Sequence, residues 1–487
     1  MATVLESLEK KRRGAARTPF TTKVGFIPSN WESWDGGGWG GKMRDRCVAV
    51  LEQIPGLDLV VPFKELTGDG TVSTVENAQA VLELFKREEV KGILLGNMTF
   101  GHEVSAVGTL INGLDPSLPI LHFCTRSGPI DSEGHRSTDT WCGQFMATSA
   151  LKRRGRRFVH IHTCNPEDPY FETKVETFVR AAAAIARFRN AKFGQLGIRP
   201  QLFESQCFSE QALEKKFGQM VVPMDLDAVF KRVEATSPDD PEVRAVVGEI
   251  EQSVDMVEIA SQALINMARY EVAVLRIVEE IDVDAIAVNC WTGVQERFGI
   301  SVCSSLGRLN DRGIVTACES DVLGAVSMYA AYHAGLGNSK VHFMDWTDLH
   351  PTEENVWLAW HCGNAPASMC KNGCRPRMYR NERLIQWNPN CHGTAEFPLA
   401  PGPVTCSRLV EYDGEYSMFI GSGEIVDIPP FVRGTYGWVK VNDVFDWEDK
   451  MVENGIIHHG TLIHDPKVAD ALEMFCHFLD IKPVRGA

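Results

Sequence analysis

Two carboxylates close short apolar runs in this 487-residue chain. Glu319 follows Ile314-Val315-Thr316-Ala317-Cys318, and Asp345 follows Lys340-Val341-His342-Phe343-Met344. Between them a helical stretch runs from Asp321 to Ala334 and is stopped by Gly335 and Gly337. A strand–helix–strand unit in an open parallel sheet delivers both strand ends to the edge where ligands bind, so Glu319 and Asp345 are expected to be neighbours. Taken singly, an acid at a strand end is more often a helix cap or a turn residue, and only the pairing gives it weight. A third group comes from the run Gly455 to His464, where His458, His459 and His464 fall within seven residues. Imidazoles packed that densely beside glycine suit a metal or a substrate. Two oxygens and one nitrogen suit Mn²⁺ or a related divalent ion that keeps positions open for a ligand.

The elements that must position these groups are legible as alternating strands and helices. The runs Lys23–Pro28, Leu57–Pro62, Gly92–Gly96 and Pro119–Phe123 are β-rich and separated by periodic segments such as Ala78–Glu89. That alternation predicts βαβ units and a parallel sheet. A second series is expected from Arg157–His162 through a helix over Glu172–Asn190 and a strand over Phe193–Ile198. A long helical tract, Glu242–Glu280, then leads to strands Asp284–Cys290, Gly313–Cys318 and Lys340–Met344. After Asp348 helices become scarce, and alternating runs at Gly402–Tyr412, Tyr416–Gly421 and Gly437–Val441 predict an antiparallel barrel or sandwich. A helix over Pro466–Leu479 ends the chain.

Composition excludes several classes. With 44% hydrophobic residues, 23% charged and 11 Trp, the chain has the profile of a well-buried globular protein rather than a disordered one. A formal charge of −15 argues against an extended nucleic-acid surface. The basic cluster Lys152–Arg157 reads as a helix C-terminus and a solvated turn. The N-terminal run Lys10-Lys11-Arg12-Arg13 is followed by no apolar stretch of signal-peptide type, and no segment has the length of a membrane span. A cytoplasmic protein without membrane or nucleic-acid partners is expected, and most of its 14 Cys are expected to be buried thiols.

The ordered set of motifs resembles the L-fucose isomerase family, within the wider group of L-fucose and L-arabinose isomerases. The resemblance is carried by Thr316-Ala317-Cys318-Glu319-Ser320-Asp321, by Val341-His342-Phe343-Met344-Asp345, and by His458-His459-Gly460 with His464 beyond. The tract Lys192–Gly197 leading to Val221–Leu226 matches as well. It implies an α/β protein of three domains: residues 1–157 and 158–348 as Rossmann-like domains with parallel sheets, and 349–487 as a β-rich, barrel-like domain. By the resemblance Glu319, Asp345 and His459 bind a divalent metal, Mn²⁺ fitting best, and the two carboxylates shuttle protons. Asp348 and His464 are the alternative ligands. His361 and Asn364 align with a substrate-contacting turn, Trp438 with an aromatic wall, and Trp291 with a sugar-contacting segment. His458 stands where the family usually has Asn. The family assembles into closed oligomers, so a hexamer or trimer is implied.

The reaction implied is interconversion of an aldose and its 2-ketose through a cis-enediol. The sugar is of the L-fucose or D-arabinose type or, given the changed Trp and His positions, a hexose modified at C6, an anionic one included. The loop Asn30–Lys42 carries Trp31, Trp34 and Trp39, platforms suited to stacking on a sugar ring or to a subunit interface. Cys370-x3-Cys374 has a zinc-like spacing but lacks a paired partner motif. Two other readings stand beside the isomerase: a lyase, epimerase or aldolase on the same scaffold, and a non-catalytic sugar-binding protein.

Overall fold

The computed structural model describes residues 20–35, 37–136, 138–381 and 391–487, so the basic run Lys10–Arg13 lies outside the described residues. The chain divides into two compact units, one of Phe20–Ala186 and one containing Arg187–Ala487.

In the first unit five parallel strands, β1 (Thr22–Ser29), β2 (Leu57–Val60), β3 (Gly92–Asn97), β4 (Ile120–Cys124) and β5 (Val159–His160), form a sheet in the order β2-β1-β3-β4-β5. β3 and β4 are buried at every position, as strands covered on both faces must be. The helix Val75–Arg87 shows how the covering is built. Ala78, Val81, Leu84 and Phe85 recur on one face, and the Thr74 side chain accepts the Asn77 amide proton to cap its start. The strand expected to open a second sheet, β5, instead pairs with β4.

In the second unit β6 (Lys192–Leu196), β7 (Met220–Met224), β9 (Ala285–Val288) and β10 (Thr316–Ala317) form a parallel sheet in the order β10-β9-β6-β7. The expected tract Glu242–Glu280 is two helices, Pro241–Ser253 and Ser261–Glu280, parted by the short strand β8 (Asp255–Met256). The remaining strands are β11 (Val341–Leu349), β12 (Val356–His361), β13 (Arg377–Arg380), β14 (His392–Pro398), β15 (Gly402–Tyr412), β16 (Glu415–Val426), β17 (Thr435–Lys440), β18 (His459–Ile463) and β19 (Lys482–Arg485). They join β8 in a mixed sheet, and an added pairing of β16 with β17 closes β16-β15-β18-β11-β12-β17 on itself. The predicted barrel is therefore present. Its inside is filled by Met344, Trp357, Ala359, Cys406, Phe419, Ile425, Val439 and Leu462. The helix Val444–Glu453, capped by Asp443, lies in a region expected to have few helices.

One correction concerns how the carboxylates come together. β10 belongs to the parallel sheet and β11 to the barrel, so the strand–helix–strand unit does not sit in one sheet. The connecting helix, Val322–Ala334, is buried along its whole length and contacts β9 and β10 on one side and β15 and β18 on the other. A helix apolar all round must be enclosed, and truncating one of its larger residues costs about 2–5 kcal/mol. Among the described residues no helix is long and apolar enough to cross a membrane.

Candidate active site and metal centre

The N-terminus of that buried helix is where the chemistry gathers. Glu319 and Ser320 both have φ of +57°, the left-handed region in which side chains other than Gly, Asn and Asp are uncommon. Such a turn costs about 1–3 kcal/mol per residue and persists only where its surroundings impose it. Here the Ser320 amide donates to the Val288 carbonyl at 2.9 Å, and the Ser320 hydroxyl donates to the Gly197 carbonyl at 2.6 Å. The result fixes Glu319 at the end of β10 and leaves Asp321 to cap the helix, its Oδ1 accepting from the Gly324 amide at 2.8 Å.

From the barrel side β18 begins with His459, which is fully buried and stands opposite Asp345 of β11 in the antiparallel register. Residues so paired show their side chains on one face, about 4.5–5.5 Å apart. Gly460 follows because any Cβ there would run into the Trp346 ring. His459 Nε2 is 3.0 Å from Glu319 Oε2 and 3.6 Å from Asp345 Oδ1, so both carboxylates converge on one ring nitrogen. The other nitrogen, Nδ1, is 2.8 Å from Asp321 Oδ2. Arg408, itself buried, donates to both Asp321 oxygens at 2.5 and 3.0 Å. Arg408 thus keeps Asp321 ionised, and Asp321 keeps a proton on Nδ1. Nε2 is left for whatever lies between the carboxylates.

The electrostatics follow this wiring. Burial lowers the affinity of His459 for a proton, but Asp321 and Glu319 outweigh it and hold the imidazole up at about 10. Burial also works against the Asp321 charge, yet Arg408 and His459 pull its pKa well below the usual carboxylate range. Glu319 is lowered too, its burial overcome by His459. Asp345 goes the other way, raised by burial and by the neighbouring Glu319 charge. Its side chain keeps 25% exposure, while Oδ1 is buried without a hydrogen-bond partner among the described residues.

The donor set fits a divalent cation. Ligand atoms of Glu319, His458 and His459 lie within 4.8 Å of one another. The His458 Nε2 is also a buried atom without a partner among the described residues. Burial and the charge of His459 lower the His458 pKa to about 4, so it is a neutral donor. Buried polar atoms of this kind normally have partners, and carboxylate oxygens with imidazole nitrogens are what a cation of the Mn²⁺ class takes.

The remaining sequence-derived residues spread out around this centre. His361 is buried, neither ring nitrogen partnered among the described residues, 5.4 Å from the Phe343 ring, and burial pushes it down to about 4 against the pull of Glu319. Asn364 is fully buried, its Oδ1 3.1 Å from His342 Nε2. Trp291 packs on Phe203 at 5.6 Å, and Phe203 packs on His458 at 4.8 Å, making a short aromatic wall. Trp438 lies in an apolar cluster with Val356, Leu358 and Tyr436, its Nε1 donating to the Pro430 carbonyl. Trp39 begins the helix Trp39–Leu51 of the first unit. Asp348 is exposed and accepts from the Leu349 amide, and His464 Nε2 is 2.8 Å from the Ala400 carbonyl, so neither joins the cluster. Cys370 and Cys374 have their sulfurs paired with each other.

Sequence reasoning missed Asp321, Arg408 and Phe203. Arg408 carried a signal, a lone cation within the apolar run Cys406-Ser407-Arg408-Leu409-Val410. Asp321 was read only as the first residue of the predicted helix, and it is that helix's cap.

Comparison with known proteins identifies the family of the chain. Residues 40–189 match the N-terminal domain of fucose/sulfoquinovose isomerase, and residues 359–485 match the C-terminal domain of L-fucose isomerase, a stretch that includes His361, Arg408, His458 and His459. A sulfoquinovose isomerase of Alkalicoccus urumqiensis is 26% identical over 354 residues, 72% of this chain and 76% of the relative. One from Priestia aryabhattai is 22% identical over 407 residues, 83% of this chain and 87% of the relative. One from Clostridium sp. (strain MSTE9) is 26% identical over 365 residues, with 72% and 76% covered. With both the N-terminal and the C-terminal domains of the family matched, the chain belongs to the fucose isomerase family.

Proposed function

We propose that this chain converts sulfoquinovose, a hexose carrying a sulfonate at C6, into its 2-ketose through a cis-enediol, with a divalent cation held by Glu319, Asp345 and His459. The family itself makes the chain an aldose–ketose isomerase. The observation that carries the site assignment is the convergence of two carboxylates on His459 Nε2 while Asp321 occupies Nδ1. When bound, the cation polarises neighbouring sugar oxygens and acidifies the C–H beside the carbonyl. His458 supplies a further neutral donor at the same point.

The chain's own groups do the rest. Asp345, with its proton affinity raised by burial and by Glu319, suits a group that takes the C2 proton and returns it to C1 near neutral pH. Glu319 stays ionised beside His459 and suits the transfer between the two oxygens. Asp321 and Arg408, both fully buried, orient His459. Phe203 and Trp291 exclude water on one side. The working protein is read as a cytoplasmic homo-oligomer, a hexamer or trimer, with Mn²⁺ as its metal.

The test is product analysis. The Mn²⁺-loaded chain should turn sulfoquinovose, and more slowly other aldoses, into ketoses. Three-carbon fragments or a dehydrated product would favour an aldolase or dehydratase, and tight sugar binding without turnover would favour a binding protein.

A further inference from the structure

An aldose with C1 and C2 at Glu319 and Asp345 must place its C6 end away from His459, and the barrel register indicates the direction. Asp345 is paired with His459 on one side and with Trp360 of β12 on the other. Since paired residues share a face, Trp360 stands one strand spacing, about 4.8 Å, beyond Asp345. A cavity of about 130 Å³ opens there, lined by Trp360, Cys362, Arg380, Asn381, Thr394 and Arg433 among others. It has room for several waters, enough for a tetrahedral oxyanion head. Its link to the carboxylates is also electrostatic: burial raises the Cys362 thiol, and Glu319 and Asp345 are among the charges that add to the rise.

The cavity is cationic. Arg433 lies 4.7 Å over the Tyr379 ring and donates to Glu396 at 3.0 and 3.3 Å, which accounts for one carboxylate in the wall. Arg380 is a second guanidinium, so the wall holds two cations against one anion. The only ion pair of Arg380 among the described residues is a 3.3 Å contact with the exposed Glu258. Exposed pairs contribute about 0–1 kcal/mol, and that contact leaves Arg380 Nε buried with no hydrogen-bond partner among the described residues. A guanidinium whose Nε–H is unpartnered and whose other contact is a long, exposed one, at the edge of a sugar site, matches an anion with several equivalent oxygens.

We infer that this cavity is the subsite for the C6 sulfonate, with Arg380 and Arg433 as the residues that set specificity for an anionic sugar. The inference rests on the isomerase reading above. It is tested with the full Mn²⁺-loaded chain on sulfoquinovose and on 6-deoxyglucose, which differ only by the sulfonate. The readout is the ratio of the two kcat/KM values, which does not depend on the fraction of a variant that folds. The wild type should prefer the sulfonated sugar. In Arg380→Gln the ratio should fall roughly 10–100-fold, the range for losing a hydrogen bond to a charged group. Arg380→Lys, keeping the charge without the fork, should fall between. An unchanged ratio in Arg380→Gln overturns the subsite, as does a wild type that isomerises both sugars equally well, and either leaves the isomerase reading intact. A wild type that isomerises no aldose overturns that reading and the subsite with it.

Discussion

Two histidines of this chain are fully buried and chemically opposite. His122, on β4 of the first unit, has its Nε2 2.9 Å from Asn97 Oδ1 and its Nδ1 3.1 Å from His160 Nδ1. The Asn97 amide nitrogen is committed to the Phe100 carbonyl, so Asn97 accepts and His122 Nε2 donates. Burial, and then His160, push the His122 pKa down to about 3. His459 is as deeply buried but sits among three carboxylates and is held up at about 10. Depth alone therefore says nothing about role. A buried imidazole with neutral partners is structure, whereas one ringed by acids and unpartnered atoms is a place built to exchange a proton for a cation.

The contrast can be broken by mutation. The largest expected effect is on turnover: Glu319→Gln should lower kcat about 10²–10⁴-fold with little change in thermal midpoint, as for loss of a proton-transfer group. Arg408→Met strands the buried Asp321 charge and should destabilise the chain by about 3–5 kcal/mol in chemical denaturation, even with activity assayed only on the folded fraction. Asp321→Asn removes the anchor of His459 Nδ1. It should weaken Mn²⁺ binding about 10–100-fold by calorimetry, a readout that a merely structural role would not move. His122→Leu is the counterpart in the first unit. It leaves Asn97 Oδ1 without its donor, should cost about 1–3 kcal/mol, and should leave Mn²⁺ affinity as it was.

The two residues also titrate stability in opposite directions. His459 has a raised pKa, so in the metal-stripped chain its contribution is complete below about pH 6.5 and is lost as pH rises through about 10. Asp345, raised as well, adds a loss in the same direction at lower pH. His122 has a lowered pKa, so its contribution is present above about pH 6.5 and is lost as pH falls toward about 3. A pH effect follows: between pH 6.5 and 9 the thermal midpoint of the stripped chain should fall, while that of the Mn²⁺-loaded chain should stay flatter. Parallel curves would place the cation elsewhere.

Much of this was legible in the sequence for reasons that can be named. Alternation with period two in Gly402–Tyr412 predicts a strand, and β15 has those bounds, because a barrel strand must turn one face inward. Glu319 and Asp345 were expected to meet at one edge of a parallel sheet. They do meet, but across a helix that leaves one sheet and enters another. The expectation named the residues and missed the route, because the pattern of a buried strand does not reveal which sheet it joins. Asp321 was hidden by its own success as a helix cap. Its second role depends on His459, 138 residues later, and on Arg408, and no local signal encodes contacts that distant. The position of β5 failed for a similar reason, since two residues of pairing decide it.

The most direct measurement is ketose formed from sulfoquinovose by three preparations of the full chain: chelator-stripped wild type, the same protein reloaded with Mn²⁺, and reloaded Glu319→Gln. The account predicts ketose from the reloaded wild type and almost none from the other two. Equal turnover by the stripped protein or by Glu319→Gln would contradict it.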